Sequence, residues 1–125
     1  TFVAQSFSSD IKELTHIIEE AINHKGFSFV NVFSPCVTYN KINTYDWFKE
    51  NLTKLADIED YDFSNKNQAI QTVMDKESMI TGIIYQDKET PSYEQQLEQL
   101  DETPLVKKSL KLEENQFEEL VSQFK

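Results

Sequence analysis

Arginine is absent from this chain of 125 residues, and cysteine, glycine and proline are scarce. A single cysteine excludes an internal disulfide framework and is typical of a reducing compartment. Two glycines leave no room for a glycine-rich phosphate-binding loop. The sequence also has no apolar run long enough to cross a membrane and no signal-peptide pattern. We therefore expect a cytoplasmic protein that does not bind membranes.

The charged residues are mostly of one sign. Against 12 lysines stand 22 acidic residues, which gives a formal net charge of −10. Such a chain repels nucleic acid and anionic lipid, so neither is expected as a partner. The length suits one small domain or part of a larger one. Because the chain begins with Thr and its next residues already resemble a strand, we expect a fragment of a longer protein.

Apolar spacing predicts an α/β fold with a mostly parallel sheet flanked by helices. A short strand over Phe2–Gln5 is followed by a helix, for which Asp10 and Glu13 offer a capping box. The predicted apolar face of this helix consists of Ile11, Leu14, Ile18, Ala21 and Ile22. The nearly continuous apolar run Phe27–Phe33 indicates a strand buried on both faces, as in parallel sheets. Together these segments form a βαβ unit.

The rest of the chain alternates between helical and extended patterns before an acidic tail. The predicted elements are a helix from Asn43 or Thr44 to about Leu55, a helix over Asn67–Lys76 and a strand over Met79–Tyr85. The tail ends in an amphipathic helix with Phe117, Leu120, Val121 and Phe124 on its apolar face. We expect this face to pack on the body of the protein or on a partner subunit. We divide the chain into a body, residues 1–87, and an acidic extension, residues 88–125.

Cys36 is the main candidate for chemistry. It comes just after the apolar strand, and Ser34-Pro35 ends that strand, because Pro lacks an N–H and restricts the residue before it. The thiol is thus predicted on a turn at the carboxyl end of a strand, where ligands bind in open α/β sheets. Its residue type allows either an inert thiol or metal and redox chemistry. One thiolate cannot hold an iron–sulfur cluster, which usually takes four cysteines.

Three acid–base side chains lie four residues apart on the first helix: His16, Glu20 and His24. This spacing could hold a divalent metal ion. The alternative is a solvated polar face, which the position of the stripe opposite the predicted apolar face favours.

Aromatic and amide residues follow the cysteine. The aromatic side chains could stack on a cofactor ring, but burial in the core or at a subunit interface is the favoured interpretation. The amides and the threonine are expected to complete turns and helix caps, with hydrogen bonds to cluster sulfurs as the second interpretation. The aromatic residues are Tyr39, Tyr45, Trp47 and Phe48, and the polar ones are Asn40, Asn43 and Thr44.

Residues 26–40, followed by Asn43–Lys49, resemble the β subunit of the 2-oxoacid:ferredoxin oxidoreductases, in particular the 2-oxoglutarate type. The specific part is Ser34-Pro35-Cys36 with the later Asn43-Thr44-Tyr45-Asp46-Trp47. The opening residues 1–10 and the segment Gly82–Gln86 fit the same family. The resemblance covers roughly residues 1–87.

This resemblance implies the C-terminal part of a thiamine diphosphate-binding fold. It makes Cys36 the fourth ligand of a [4Fe–4S] cluster, with the other three cysteines and the thiamine diphosphate and Mg²⁺ motifs upstream of this chain. The implied reaction converts a 2-oxoacid, here 2-oxoglutarate, and coenzyme A to acyl-CoA and passes electrons to ferredoxin. The implied partner is the α subunit. The fragment alone is expected to be inactive and to bind no cofactor.

A second hypothesis is a non-catalytic, acidic interaction domain that binds a partner through its C-terminal helix. An upstream Cys-x-x-Cys, a further cysteine and a Gly-Asp-Gly motif would favour the oxidoreductase.

Overall fold

The computed structural model describes residues 1–97, 103–109, 111 and 113–124. None of the described helices is long and apolar enough to cross a membrane. The strands are β1 (Phe2–Phe7), β2 (Ser28–Phe33), β3 (Thr53–Lys54) and β4 (Ile80–Gln86). The α-helices are α1 (Ile11–Asn23), α2 (Tyr45–Asn51), α3 (Lys66–Asp75) and α4 (Glu114–Ser122).

The strands form one sheet in the order β2-β1-β4-β3. β1 pairs in parallel with β2, from Phe2 opposite Ser28 to Phe7 opposite Phe33, which confirms the predicted βαβ unit. β3 and β4 are also parallel, whereas β1 and β4 are antiparallel. The mostly parallel α/β architecture is therefore confirmed, with one antiparallel pairing in the middle of the sheet.

The antiparallel pairing contains an irregularity at Ile84. Val3 lies opposite Tyr85 and Ala4 opposite Ile83, so Ile84 has no residue opposite it. The Tyr61 hydroxyl donates a hydrogen bond of 2.6 Å to the carbonyl of Ile84. Burial raises the pKa of Tyr61, which favours the protonated hydroxyl that donates this bond. The bond also attaches the acidic loop before α3 to the sheet.

The predicted apolar face of α1 is wrong at three of its five positions and lacks the most buried residue of the helix. Ile17, which the prediction omitted, is 1% exposed and packs with Phe2 and Ala4 in the core. Ile22, which the prediction included, is 76% exposed, and Ile11 and Ile18 are exposed as well. Two adjacent stripes of this helix are apolar, and helical spacing alone does not distinguish the one that faces the sheet.

The prediction that the second strand is buried on both faces is also wrong. β2 lies at the edge of the described sheet, and Phe29 is 53% exposed. The apolar sequence of β2 is that of an interior strand, but its position is that of an edge strand.

The remaining elements differ from the predictions mainly in their ends. α2 stops at Asn51 rather than near Leu55, since Thr53 and Lys54 pair with β4 instead. A strand of two residues is too short to show a periodic pattern. α4 forms as predicted, but Phe117 and Leu120 are exposed, so the apolar face does not pack on the described body. The domain division at residue 87 stays a prediction.

We predict that Ile17→Ala lowers the free energy of unfolding by about 2–5 kcal/mol, because it leaves a cavity in the core. Ile22→Ala is the matched control and should change it by less than about 0.5 kcal/mol, since Ile22 is largely exposed. Urea denaturation of the chain measures both. Equal effects of the two substitutions would contradict the packing of α1 described above.

Candidate functional site

Cys36 lies on a turn beyond the carboxyl end of β2, as predicted. β2 ends at Phe33, and the turn over residues 37–39 follows the cysteine. The N–H of Asn40 donates to the carbonyl of Cys36 at 3.0 Å, which closes one turn of helix-like backbone. Cys36 is exposed, and its thiol is free.

Backbone N–H groups of that turn act on the sulfur of Cys36. Hydrogen bonds from the N–H of Tyr39, then of Thr38, and a weaker one from Asn40 lower the pKa of the thiol. The small loss of hydration opposes this shift. Hydrogen bonds to the charged form favour the thiolate, and the thiolate is the form that binds metals and reacts with electrophiles.

Side chains hold the loop that carries the cysteine. The Asn40 Oδ1 accepts hydrogen bonds from the N–H groups of Ile42 (2.9 Å) and Asn43 (3.0 Å). The hydroxyl of Thr44 caps α2 by accepting from the N–H of Trp47 at 3.4 Å. The prediction that these polar residues complete turns and caps is therefore confirmed.

Aromatic packing fixes α2 against the sheet beside this loop. The ring of Phe48 lies 5.7 Å from that of Phe7, 5.2 Å from that of Phe33 and 5.1 Å from that of Trp47. Tyr45 also contacts Phe7, at 5.7 Å between ring centroids. The predicted aromatic packing is thus found, with Phe7 and Phe33 as members that the prediction missed, but the α2 aromatic residues are only half-buried and none of them lies in the core.

Tyr39 does not belong to that aromatic cluster, which corrects the prediction. Its side chain is 89% exposed. Val37 and Ile42 are exposed too, so three apolar side chains lie around the Cys36 turn; we call them the Cys36 rim. An exposed apolar group of this kind is a feature of surfaces that contact another polypeptide or a cofactor.

The histidine stripe of α1 is not a metal site in the described part of the chain. There, no group of three or more His, Cys, Asp or Glu side chains is placed to hold a metal ion. His16 is exposed, as expected for a polar face. His24 is partly buried: its ring contacts Phe2, and its Nε2 lies 2.7 Å from the Thr1 hydroxyl. Burial is the main reason why the pKa of His24 is lowered.

A cleft of about 230 Å³ lies beside Phe7, the last residue of β1. Asp10 and Glu13 of the α1 N-terminus and Lys54 of β3 are among its lining residues. The Asp10 carboxylate accepts a hydrogen bond of 3.2 Å from the N–H of Glu13, which is one half of the predicted capping box. The other half would be a bond from the N–H of Asp10 to the Glu13 carboxylate, and this carboxylate has other partners. The Glu13 carboxylate instead accepts from the hydroxyls of Thr81 (3.2 Å) and Ser6 (3.4 Å). These bonds connect α1 to β1 and β4, which indicates a structural role.

Comparison with known proteins decides the family. The profile of the family described as the C-terminal region of the pyruvate ferredoxin oxidoreductase beta subunit matches residues 36–102, just over half of the chain. The chain belongs to this family. The match begins at Cys36, and the resemblance predicted from the sequence is confirmed.

Curated relatives carry the same subunit name. The chain is 37% identical over 130 residues to the 2-oxoacid:ferredoxin oxidoreductase subunit beta of Sulfolobus sp, with 90% of this chain and 43% of that protein covered. It is 33% identical over 107 residues to the same subunit of Saccharolobus solfataricus, with 78% and 35% covered. The chain thus spans less than half the length of these relatives.

A solved structure supports the same family. A 2-oxoglutarate:ferredoxin oxidoreductase from Magnetococcus marinus has a TM-score of 0.65 and 33% sequence identity to this chain. The similarity covers 73% of this chain and 31% of that one. That structure has 2-oxoglutarate, coenzyme A and succinyl-CoA bound.

We predict that the Cys36 thiol ionises at a lower pH in the folded chain than in the unfolded chain. The backbone N–H groups of Tyr39 and Thr38 stabilise the thiolate only while the turn is formed. The measurement is the rate of alkylation by iodoacetamide against pH. The same chain in urea is the control, with an expected midpoint at about pH 8.5. Coincident midpoints in buffer and urea would show that these N–H groups do not act on the sulfur.

A second prediction concerns the ion pair of Asp10 with Lys54, whose Oδ2 and Nζ lie 2.5 Å apart. This bond lowers the pKa of Asp10 and raises that of Lys54. A lowered carboxyl pKa stabilises the fold above the unfolded value of about 3.9, and the gain disappears as the pH falls through the lower folded pKa.

Asp10→Asn retains the helix cap but loses the ion pair. At pH 7 it should therefore cost about 0.2–1 kcal/mol, the range for a partly exposed pair. At pH 2 the variant and the wild type should be equally stable by urea denaturation. A difference that persists unchanged at pH 2 would assign the cost to packing instead of charge.

Proposed function

We propose that this chain is the C-terminal part of the β subunit of a cytoplasmic 2-oxoacid:ferredoxin oxidoreductase that prefers 2-oxoglutarate. In the proposed reaction, the 2-oxoacid is decarboxylated, the acyl group passes to coenzyme A, and electrons pass to ferredoxin. The observation that carries the proposal is the exposed Cys36 thiol on a hydrogen-bonded turn, at the residue where the family match begins.

The residues around Cys36 fit a role as one ligand of a [4Fe–4S] cluster. The thiol is accessible and its pKa is lowered, and thiolates are the ligands that such clusters take. Backbone N–H groups next to a ligating sulfur are the outer-shell hydrogen bonds that tune clusters. The described residues offer no second cysteine, so the other three ligands would come from another part of the β subunit. When bound, the cluster supplies one-electron transfer.

The part of this chain in that site is to hold one sulfur in place. The Asn40 side chain fixes the end of the turn, and the Phe48 ring fixes α2 directly after it. The turn therefore has little freedom to rotate the thiol away from the sheet edge. Once covered, Val37, Tyr39 and Ile42 of the Cys36 rim would exclude water from the sulfur, which affects the reduction potential of a cluster.

The proposal places thiamine diphosphate and Mg²⁺ in the part of the β subunit outside this chain. The described residues contain no acidic cluster able to hold a metal ion. Residues 1–87 would be the later half of the thiamine diphosphate-binding domain, and residues 88–125 an extension of it. The preference for 2-oxoglutarate is supported by the Magnetococcus marinus relative, which has this compound bound. The α subunit and ferredoxin are the proposed protein partners.

One observation favours the alternative, a non-catalytic interaction role for the tail. Phe117, Leu120 and Phe124 of the α4 region are exposed. A basic polar face, as in membrane-bound helices, is absent from the sequence of this helix, so a protein is the better partner. This role is compatible with the oxidoreductase if that partner is the α subunit.

We predict that Cys36→Ser in the complete αβ enzyme lowers the iron and sulfide content at least about tenfold, because a hydroxyl is a harder and less acidic ligand than a thiolate. Reduction of ferredoxin by 2-oxoglutarate and coenzyme A should fall with it. Thiamine diphosphate binding should survive, since that site lies elsewhere. Ser34→Ala, two residues away on the same loop, is the matched control and should keep both cluster and activity.

Two results would sink this proposal. A Cys36→Ser enzyme with full iron content and full ferredoxin reduction would make Cys36 a surface thiol without a ligand role. A wild-type enzyme that reduces ferredoxin faster with pyruvate than with 2-oxoglutarate would overturn the proposed substrate preference and leave the family unchanged.

A further inference from the structure

β2 has the side chains of an interior strand at the edge of the described sheet. Phe29 is 53% exposed on one face, opposite Val3. On the other face Val30 packs against the core, and Val32 is exposed further along. An edge strand is usually protected by charged residues or proline, and β2 has neither.

The outer backbone groups of β2 have no strand partner among the described residues. The N–H of Phe2 donates to the carbonyl of Phe27, and that of Ser8 to the carbonyl of Phe33. In an evenly spaced parallel ladder, the odd-numbered residues of β2 thus bond to β1. The N–H and C=O groups of Ser28, Val30 and Val32 consequently point away from β1, toward the free edge.

An exposed apolar flank of α1 borders the same edge. Ala21 packs in the core with Val30 of β2, whereas Glu13 bonds to Thr81 of β4, so these residues mark the two sides of the helix. Ile18 follows Ile17 and Ile22 follows Ala21, and each step along a helix turns the side chain by about 100°. This rotation places Ile18 and Ile22 on the same side of the helix as Ala21, and farther from the sheet. They therefore lie on the β2 side of the helix, where both are exposed.

We propose that a further strand and helix of the β subunit, from outside residues 1–125, cover this edge in the complete protein. The strand would pair with the outer groups of β2, and the helix would pack on Ile18 and Ile22. β2 would then be an interior strand, with Phe29 and Val32 inside.

Three observations favour this occupant. The Sulfolobus relative is more than twice as long as the part that this chain matches, since only 43% of it is covered. A strand alone would satisfy the free backbone groups, but the exposed flank of α1 calls for a helix as well. A strand together with a helix is the repeating unit of parallel sheets. A second copy of the chain is disfavoured because each copy has a net charge of −10. The inference rests on the family and not on the role of Cys36.

The test is amide hydrogen exchange in the complete αβ enzyme, read residue by residue over Ser28–Phe33. The expected result is that Val30 and Val32 are as protected as Phe29 and Asn31, and that dilution of the enzyme leaves this protection unchanged. If Val30 and Val32 exchange at least about ten times faster than their neighbours, the edge is free and the proposal is wrong. Protection that disappears on dilution would assign the edge to a second copy.

A pair of variants tests the helical part of the proposed cover. Ile18→Glu should lower the melting temperature of the complete enzyme by several degrees and speed exchange in β2. His16→Glu, on an exposed part of α1, is the matched control and should do neither. Equal melting temperatures for both variants would contradict a packed α1 flank. None of these readouts depends on cluster content or activity, so their failure is distinguishable from failure of the proposed function.

Discussion

The two backbone ladders of β1 are the interaction on which the other elements depend. β1 pairs in parallel with β2 on one side and antiparallel with β4 on the other. Its Gln5 side chain adds a polar link across the sheet, since it donates to the carbonyls of Ser78 and Ile80 at 2.7 Å and accepts from the Asn31 amide at 2.7 Å. The direction and register of β2 follow from this strand, and so does the edge at which Cys36 emerges.

The sequence contains most of the information needed to locate that edge. A strand, a capped helix and an apolar strand followed by Ser34-Pro35 indicate a βαβ unit and a turn, and both are found. The N–H groups around the sulfur follow from backbone geometry within a few residues of Cys36. The role of Cys36 as a ligand stays a proposal, because one cysteine alone cannot hold a cluster and the sequence of this chain has no second one.

What the sequence does not reveal depends on contacts between distant segments. The helical spacing of α1 is the same for Ile17, which is buried, and Ile18, which is not. The antiparallel direction of β4 and the two-residue β3 are set by pairing across the sheet, and neither leaves a periodic pattern. The predicted burial of β2 is wrong for a related reason: composition shows that a strand suits an interior, but the neighbours decide whether it is buried.

The free edge of β2 and the Cys36 rim both expose apolar side chains that the described residues do not cover. β2 runs directly into the Cys36 turn, so a parallel strand added beside it would end close to that turn. The polypeptide that covers Phe29 would thereby bring its own following loop toward Val37 and Tyr39. If that loop supplied ligands, cluster binding and completion of the sheet would stabilise each other, because metal binding is coupled to folding wherever the ligands come from separate segments. The backbone N–H groups of its own turn lower the pKa of the Cys36 thiol before any cover is present.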